Sequence, residues 1–444
     1  MGIKLSDHFT YRKLIKFCIP PIIMMVFTSI YSVVDGFFVS NFAGQVSFNA
    51  INLIFPFIMI LGGVGFMIGS GGTALIGKTL GQGQREKANQ YFSMIVIFTI
   101  LVGVLLTIVG VVGIRPVAQI LGAEGETLEN CVLYGRIVLS FIICFMLQNV
   151  FQVVLPLAER QKLGLVFNLA GGITNIILDA LFVGVFRWGI VGAAFATGIS
   201  ETIAGILPIF YFLSKRNTSL LHLTKAKLEF KTLMKVCGNG VSELFSSISG
   251  SIVSIVYNLQ LLKYAGANGV SAYGVLMYVQ FIFIAIFIGY TIGSSPVVSY
   301  HYGAENHDEL KGLLKKSLRL NLLVGITMAT LAFALAIPFA KIFVGYNPDL
   351  MNMTSHAFKI ISVNFVIIGV NIFISSFFTA LNNGIISAII SVMRTLGFKL
   401  LAAILLPFWF GVEGIWWSIT FAEGMALIIS IVFLLAKRKK YHYL

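Results

Sequence analysis

Apolar runs of roughly 20 residues recur along the whole chain, separated by short segments that hold most of the lysines, arginines and turn residues. A helix rises about 1.5 Å per residue, so each run is long enough to cross a hydrocarbon layer of about 30 Å. The pattern predicts spans at 14–40, 50–76, 90–113, 131–155, 164–186, 190–213, 240–262, 270–296, 319–341, 355–381, 385–410 and 413–436. The runs are continuous rather than alternating, and too long for barrel strands of about 10 residues. The expected fold is therefore an all-α integral membrane protein with about 12 transmembrane helices.

Composition agrees, because 58% of residues are apolar and 11% charged, against about 25% charged in soluble domains. A net charge of +14 would suggest nucleic acid in a soluble protein, but here the basic residues sort by side of the membrane. Alternate segments hold Lys4, Arg12, Lys13 and Lys16, then Lys78, Arg85 and Lys87, then Arg160 and Lys162, and so on to Lys437–Lys440; together they carry 23 of the 31 Lys and Arg residues. The positive-inside rule then puts both termini in the cytoplasm of a multi-pass protein of the cytoplasmic (inner) membrane, with no nucleic-acid partner. Lys13 and Lys16 precede the first run as they would in a signal peptide, but the run is too long and lacks a small-residue cleavage site, so an uncleaved first helix is expected. The four cysteines, Cys18, Cys131, Cys144 and Cys237, show no metal spacing or disulfide framework and are read as packing residues.

A shift of 222 residues, half the chain, superimposes the sequence on itself. It pairs Ala43-Gly44 with Ala265-Gly266, Gly71 with Gly293, Gly81 with Gly303, Pro116 with Pro338, Asn149 with Asn371, Gly189 with Gly411, and Glu201 with Glu423. An even number of crossings separates equivalent positions, so the two six-helix repeats are parallel. The expected organisation is an N-lobe over 1–214, a basic cytoplasmic connector over 215–237 and a C-lobe over 238–444, facing each other across a central cleft. In the connector, leucines interleaved with lysines read either as an interfacial amphipathic segment or as a solvated link.

Ionisable groups inside hydrocarbon are costly unless they face protein or water, so each is a functional candidate. Five acids qualify: Asp35, Asp179, Glu201, Glu243 and Glu423. Asp179 follows Asn175 by one helical turn, which puts a carboxylate and an amide on one face. If Asp35 and Asp179 meet, burial and mutual repulsion make the pair a proton acceptor; the same oxygens, with an amide carbonyl and a hydroxyl, suit Na+ equally, since hard cations prefer oxygen ligands. Glu201 and Glu423 match under the repeat shift, which suggests paired structural hydrogen bonds as much as transport. Arg394 and Lys399 lie within the eleventh span, where either they neutralise a buried acid or Lys399 snorkels.

The segment Ser32-Val33-Val34-Asp35-Gly36-Phe37-Phe38-Val39 resembles the first-helix motif of the multidrug and toxic compound extrusion (MATE) family, of the bacterial and archaeal type. So does Gly77-Lys78-Thr79-Leu80-Gly81-Gln82-Gly83, with Asn175, Asp179, Gly192-Ala193-Ala194 and Thr197 resembling its fifth and sixth helices. The resemblance implies an ion site in the N-lobe built from Asp35, Tyr134, Asn175, Asp179 and Thr197, with Na+ taken, where Na+ is the ion, by Asp35, Asn175, Asp179 and Thr197. It also implies that Pro20 serves helix bending; physically, a proline removes one intrahelical hydrogen bond and permits a kink. Glu243 resembles a seventh-helix acid of another branch, whose tenth-helix Asp has no counterpart here, since 355–381 contains no carboxylate. Glu243 is read either as an attractor of cationic substrate, with Tyr31, or as a helix cap. The repeat does not copy the ion constellation: Tyr257, Gly397 and Leu401 stand where the first half has Asp35, Asn175 and Asp179.

These features imply a secondary active antiporter, and not an enzyme, that exports amphipathic, mainly cationic small molecules and drugs in exchange for H+ or Na+ by alternating access, without a cofactor and as a monomer in the bilayer. The 39 phenylalanines and 14 methionines suit a cavity that accepts varied apolar compounds, because Met repacks readily and aromatic faces attract cations. The rival within the superfamily is a flippase of lipid-linked oligosaccharides, which would favour a large cationic groove. A membrane-embedded enzyme would need a catalytic cluster such as a His-Glu metal motif, which the sequence does not contain, and a channel is the remaining alternative. No P-loop motif occurs, which argues against direct drive by ATP.

Overall fold

In hydrocarbon every backbone N–H and C=O needs a partner within the chain, and helices supply those partners locally. The computed structural model describes residues 3–443 and holds the apolar runs as helices, with no strand among the described residues. Tyr11–Ala43, Gln45–Gly81, Arg85–Ile120, Gln161–Val185, Gly189–Leu213 and His307–Ala334 each cross once. Two further spans are bent pairs: Gly125–Ser140 meets Ile142–Leu157 at 55°, and Pro348–Ser362 meets Phe365–Ala380 at 48°. The stretches Phe230–Gly303 and Gly384–Tyr441, of 74 and 58 residues, are too long for one crossing. Each reverses at one glycine, Gly266 (φ 63°) and Gly411 (φ 55°). Tyr257 stacks on Tyr273 with ring centroids 5.5 Å apart, whereas on one straight helix they would stand about 24 Å apart. The chain therefore makes twelve spans in two halves.

The turns carry the internal repeat into the backbone. Gly44 (φ 88°) and Gly266 follow the first span of each half, and Gly189 (φ 56°) and Gly411 precede the last. A left-handed φ is open to glycine at no steric cost, which explains why these matched positions hold it. The repeat is nevertheless not gapless. Gly83 and Glu305 are still related by 222, but Ile142–Leu157 corresponds to Phe365–Ala380, one residue further on. One residue enters between Glu305 and Asn382 and is lost before Gly411, so Asn149 aligns with Ile372 and not with Asn371.

The halves meet at the end of the bundle that carries the described termini, where backbones approach through glycines. A Cβ on Gly289 would sit 2.5 Å from the Ile22 Cα, and one on Gly293 2.9 Å from Cys18, which packs there as a free thiol. Gly71 lies equally tight against the Val236 carbonyl and Gly81 against that of Tyr300. At the opposite end Gly36, Gly44, Gly250, Gly266 and Gly274 have nothing within 4 Å of a Cβ, so no such glycine seam joins the halves there. The segment before the first span ties the closed end. Leu5 N–H donates to Glu159 (2.6 Å) and Phe9 N–H to Glu309 (2.9 Å), with His8 Nδ1 2.6 Å from the other Glu309 oxygen. Burial pushes the Glu159 carboxyl above the ordinary carboxylate range.

Between the halves the chain is non-helical from 214 to 229, and the seventh span starts at Phe230. Lys231 and Lys235, expected in the connector, therefore lie on its first two turns, because Phe230, Leu233 and Val236 repeat at helical spacing. Gly71→Val puts a branched side chain onto the Val236 carbonyl and is expected to cost about 1–3 kcal/mol. Gly250→Ala, with open space around it, should leave stability unchanged. Thermal unfolding in detergent distinguishes them; equal midpoints would contradict the packed seam.

Candidate functional site

Asp35 stands near the end of the first helix, one turn before the π-helical Val39–Ala43, and Asp179 closes the α-helical part of the fifth span, directly before the π-helical Ala180–Val185. These wider turns shift side chains out of α-helical register, and they touch one another. The Asp35 and Asp179 carboxyls face each other at close range. Asp179 has no exposed surface, and neither of its oxygens has a hydrogen-bond partner among the described residues. Asn175, one turn earlier, is 1% exposed with its amide oxygen also unpaired. Buried Tyr134 lies against Thr197 and faces Asp35, Asp179 and Glu201.

Of the five residues expected to form one site, the structure sets Asp35 beside Asp179, Asn175 one turn before Asp179, and Tyr134 beside Thr197, with Glu201 nearby. Glu201 is buried, has an unpaired oxygen and faces Asp35. Among the described residues no Lys or Arg forms an ion pair with these three acids. Tyr31 belongs here too: it packs on Gly172 and lies near Gln148, so it sits in the opposite half from Glu243. Pro20 lies buried within the first helix, whose helical course continues through it, and its neighbour Pro21 presses on Gly289 of the second half. Gln148 was missed from the sequence, although an amide within the fourth apolar run is itself a signal.

A cluster of carboxyls without basic partners is costly when ionised in a low-dielectric interior. It is relieved by a proton shared between Asp35 and Asp179, or by a cation held by their oxygens with the Asn175 carbonyl and a hydroxyl. The donor set is all oxygen, which suits H+ or Na+ and not a softer metal.

The second half solves the same problem internally. Glu423, fully buried, lies 3.5 Å from the Arg394 guanidinium and 3.6 Å from the Lys399 ammonium. Asn371 Nδ2 donates to its carboxylate and to its carbonyl, each at 2.9 Å. Of the two readings of Arg394 and Lys399, neutralisation of a buried acid is the one observed. Arg394 lies on the third π-helical turn, Met393–Gly397. Tyr257, the repeat mate of Asp35, bonds with Ser418 at 2.6 Å.

Glu243 stands well inside a helix that begins at Phe230, about 20 Å along it, so it does not cap that helix. Its neighbours Ser242 and Ser246 bond with Ser391, one turn before Arg394, and Arg394 is the cation facing Glu243. Ser247 meets Gly63 of the first half. Glu243 thus lies close to the contact between the halves.

Replacing both Arg394 and Lys399 with Leu strands Glu423 as a buried charge and is expected to cost about 3–5 kcal/mol. Adding Glu423→Gln to that variant should recover most of the loss in a thermal melt. Absence of recovery would mean that the two cations serve some group other than Glu423.

A family model, MatE, matches this chain in two blocks, residues 20–181 and 244–405, one in each half. A multidrug export protein, MepA, of Staphylococcus saprophyticus subsp. saprophyticus is 24% identical over 435 residues, covering 96% of this chain and 94% of the relative. A crystal structure of MATE in complex with MaL6 superposes with a TM-score of 0.92 at 22% identity, covering 98% of both chains. An outward-facing multidrug resistance MATE family transporter of the MOP superfamily also gives 0.92, at 22% identity over 99% of this chain and 98% of that one. The doubled match and the shared architecture from end to end lead to one conclusion: the chain belongs to the MatE family, that of the MATE transporters.

Proposed function

We propose that this transporter exports amphipathic, mainly cationic small molecules in exchange for H+ or Na+, with the carboxyl cluster of the first half as its ion site. The observation that carries the reading is the asymmetry of charge. Asp35, Asp179 and Glu201 converge without a basic partner, while Glu423 in the equivalent place is already neutralised by Arg394 and Lys399. The multidrug export named for the MepA relative supports the substrate class.

In this reading the basic, closed end faces the cytoplasm of the inner membrane, as the distribution of Lys and Arg requires, and the open cleft faces outward. An ion entering from outside neutralises Asp35 and Asp179, with Asn175, Thr197 and Tyr134 completing its surroundings. The first helix adjusts through its π turn and at Pro20, and the cleft releases substrate. Inward ion release resets the cycle. Glu243, close to the contact between the halves, draws cationic substrate, and Tyr31 couples the first helix to the ion site. The membrane potential contributes about 2.3 kcal/mol per charge per 100 mV, enough for a roughly 50-fold substrate gradient per ion at tight coupling. Exchange further requires that ion and substrate favour different arrangements of the halves.

Uptake of ethidium into everted vesicles, under imposed pH or Na+ gradients, tests the ion site. Asp35→Asn and Asp179→Asn should each lower gradient-driven accumulation by at least about tenfold, a loss of roughly 1.4 kcal/mol of coupling. Accumulation equal to wild type in both would exclude the site. Glu243→Gln should raise KM for cationic substrates more than for neutral ones; equal loss for both would assign Glu243 a structural role.

A further inference from the structure

The third span and the connector enclose a groove that the transport cycle leaves unused. Along one face of that span, Arg85 donates to the Ser219 and Leu220 carbonyls (3.2 and 3.1 Å), Asn89 accepts from His222 N–H (3.0 Å), and Ser93 accepts from Thr224 N–H (2.8 Å). These three residues are spaced by one turn each, so they fasten the connector alongside the helix from 219 to 224. The chain then leaves the helix, and a groove opens between them.

Its upper part, about 720 Å³, has a mixed lining that includes Arg85, Lys87, Lys225 and Lys227, with the acids Glu86 and Glu229 in the same wall and Tyr91 and Met94 beside them. The excess is basic, four groups against two. Below it continues an apolar channel of about 290 Å³ between Phe98, Leu101 and Leu105 on one side and Leu228, Phe230 and Leu233 on the other. Leu105 is 58% exposed and Phe230 73%. Lys87, Tyr91, Met94, Phe98, Leu101 and Leu105 follow one another at three or four residues and so form a single stripe.

We propose that this groove is a binding site for one anionic phospholipid, its phosphate among Lys87, Lys225 and Lys227 and one acyl chain along the channel beneath. From Phe98 to Leu105, which line the channel, the helix rises about 10 Å, about two-thirds of one leaflet of a hydrocarbon layer about 30 Å thick. The change from basic to apolar lining occurs where a lipid changes from headgroup to chain. Because the groove has the third span of the first half on one side and the start of the seventh span on the other, the bound lipid touches both halves at their closed end. The inference does not depend on the transport reading.

The test uses the purified full-length chain in detergent, titrated with dioleoyl phosphatidylglycerol, dioleoyl phosphatidylcholine or soluble glycerol phosphate. Lipid retention by native mass spectrometry and the thermal midpoint are read together. Phosphatidylglycerol should be retained and should raise the midpoint more than phosphatidylcholine, and glycerol phosphate should do neither. Lys225→Gln/Lys227→Gln alters two exposed residues that make no hydrogen bond among the described residues. At about fivefold per lysine, it should weaken phosphatidylglycerol roughly 30-fold and leave phosphatidylcholine unchanged. Leu105→Ser/Phe230→Ser should weaken retention of both lipids. Equal effects of the two lipids on wild type, stabilisation by glycerol phosphate alone, or an undiminished phosphatidylglycerol preference in the lysine variant would each overturn the proposal. Should the lysine variant melt early in phosphatidylcholine, Lys87→Gln carries the same comparison from the other wall.

Discussion

A charge removed from water must be neutralised by something, and the two halves of this protein meet that demand in different ways. In the second half the counter-ions are covalent parts of the chain: Arg394 and Lys399 lie within 3.6 Å of Glu423, and Asn371 binds the same carboxylate. In the first half three acids lie together with no Lys or Arg ion pair among the described residues, and the proposed function assigns their neutralisation to an ion from outside. Under that proposal, an ion taken up there changes the charge state of only one lobe, which is what coupling an external ion to lobe movement requires.

The architecture makes that asymmetry usable. Matched glycines turn the chain at equivalent places, so duplicated sequence gives duplicated bundles, while close glycine contacts confine the seam to one end. The acids lie beyond the seam. All three π-helical turns among the described residues contain or lie within one helical turn of an intramembrane charged residue: Asp35, Asp179 and Arg394. A π turn leaves backbone groups less tightly paired than an α turn does, so these positions join chemistry to the least regular parts of the spans.

Much of this was legible in the sequence because membranes impose simple rules. Continuous apolar runs gave the twelve spans, and Gly44, Gly189, Gly266 and Gly411 marked the repeat before any φ was known. Asp35, Asn175 and Asp179 stood out because polar groups inside apolar runs are conspicuous. What stayed hidden depends on three-dimensional register. A fixed shift of 222 aligned Asn149 with Asn371, and only the helix ends reveal the extra residue. The partnership of Glu423 with Arg394 and Lys399 joins residues of two spans, and nothing in their spacing announces it. The π turns have no compositional signature, and the start of the seventh span at Phe230 was obscured by its lysines, which read as connector.

The most direct measurement counts the cations that leave the purified protein when ethidium is added, with a pH-indicator dye in weak buffer and a Na+ electrode in parallel. Release of H+ or Na+ from wild type, and none from the Asp35→Asn/Asp179→Asn double variant, is the expected result. Equal release from both proteins, or no release from wild type at saturating ethidium, would contradict an externally neutralised ion site in the first half.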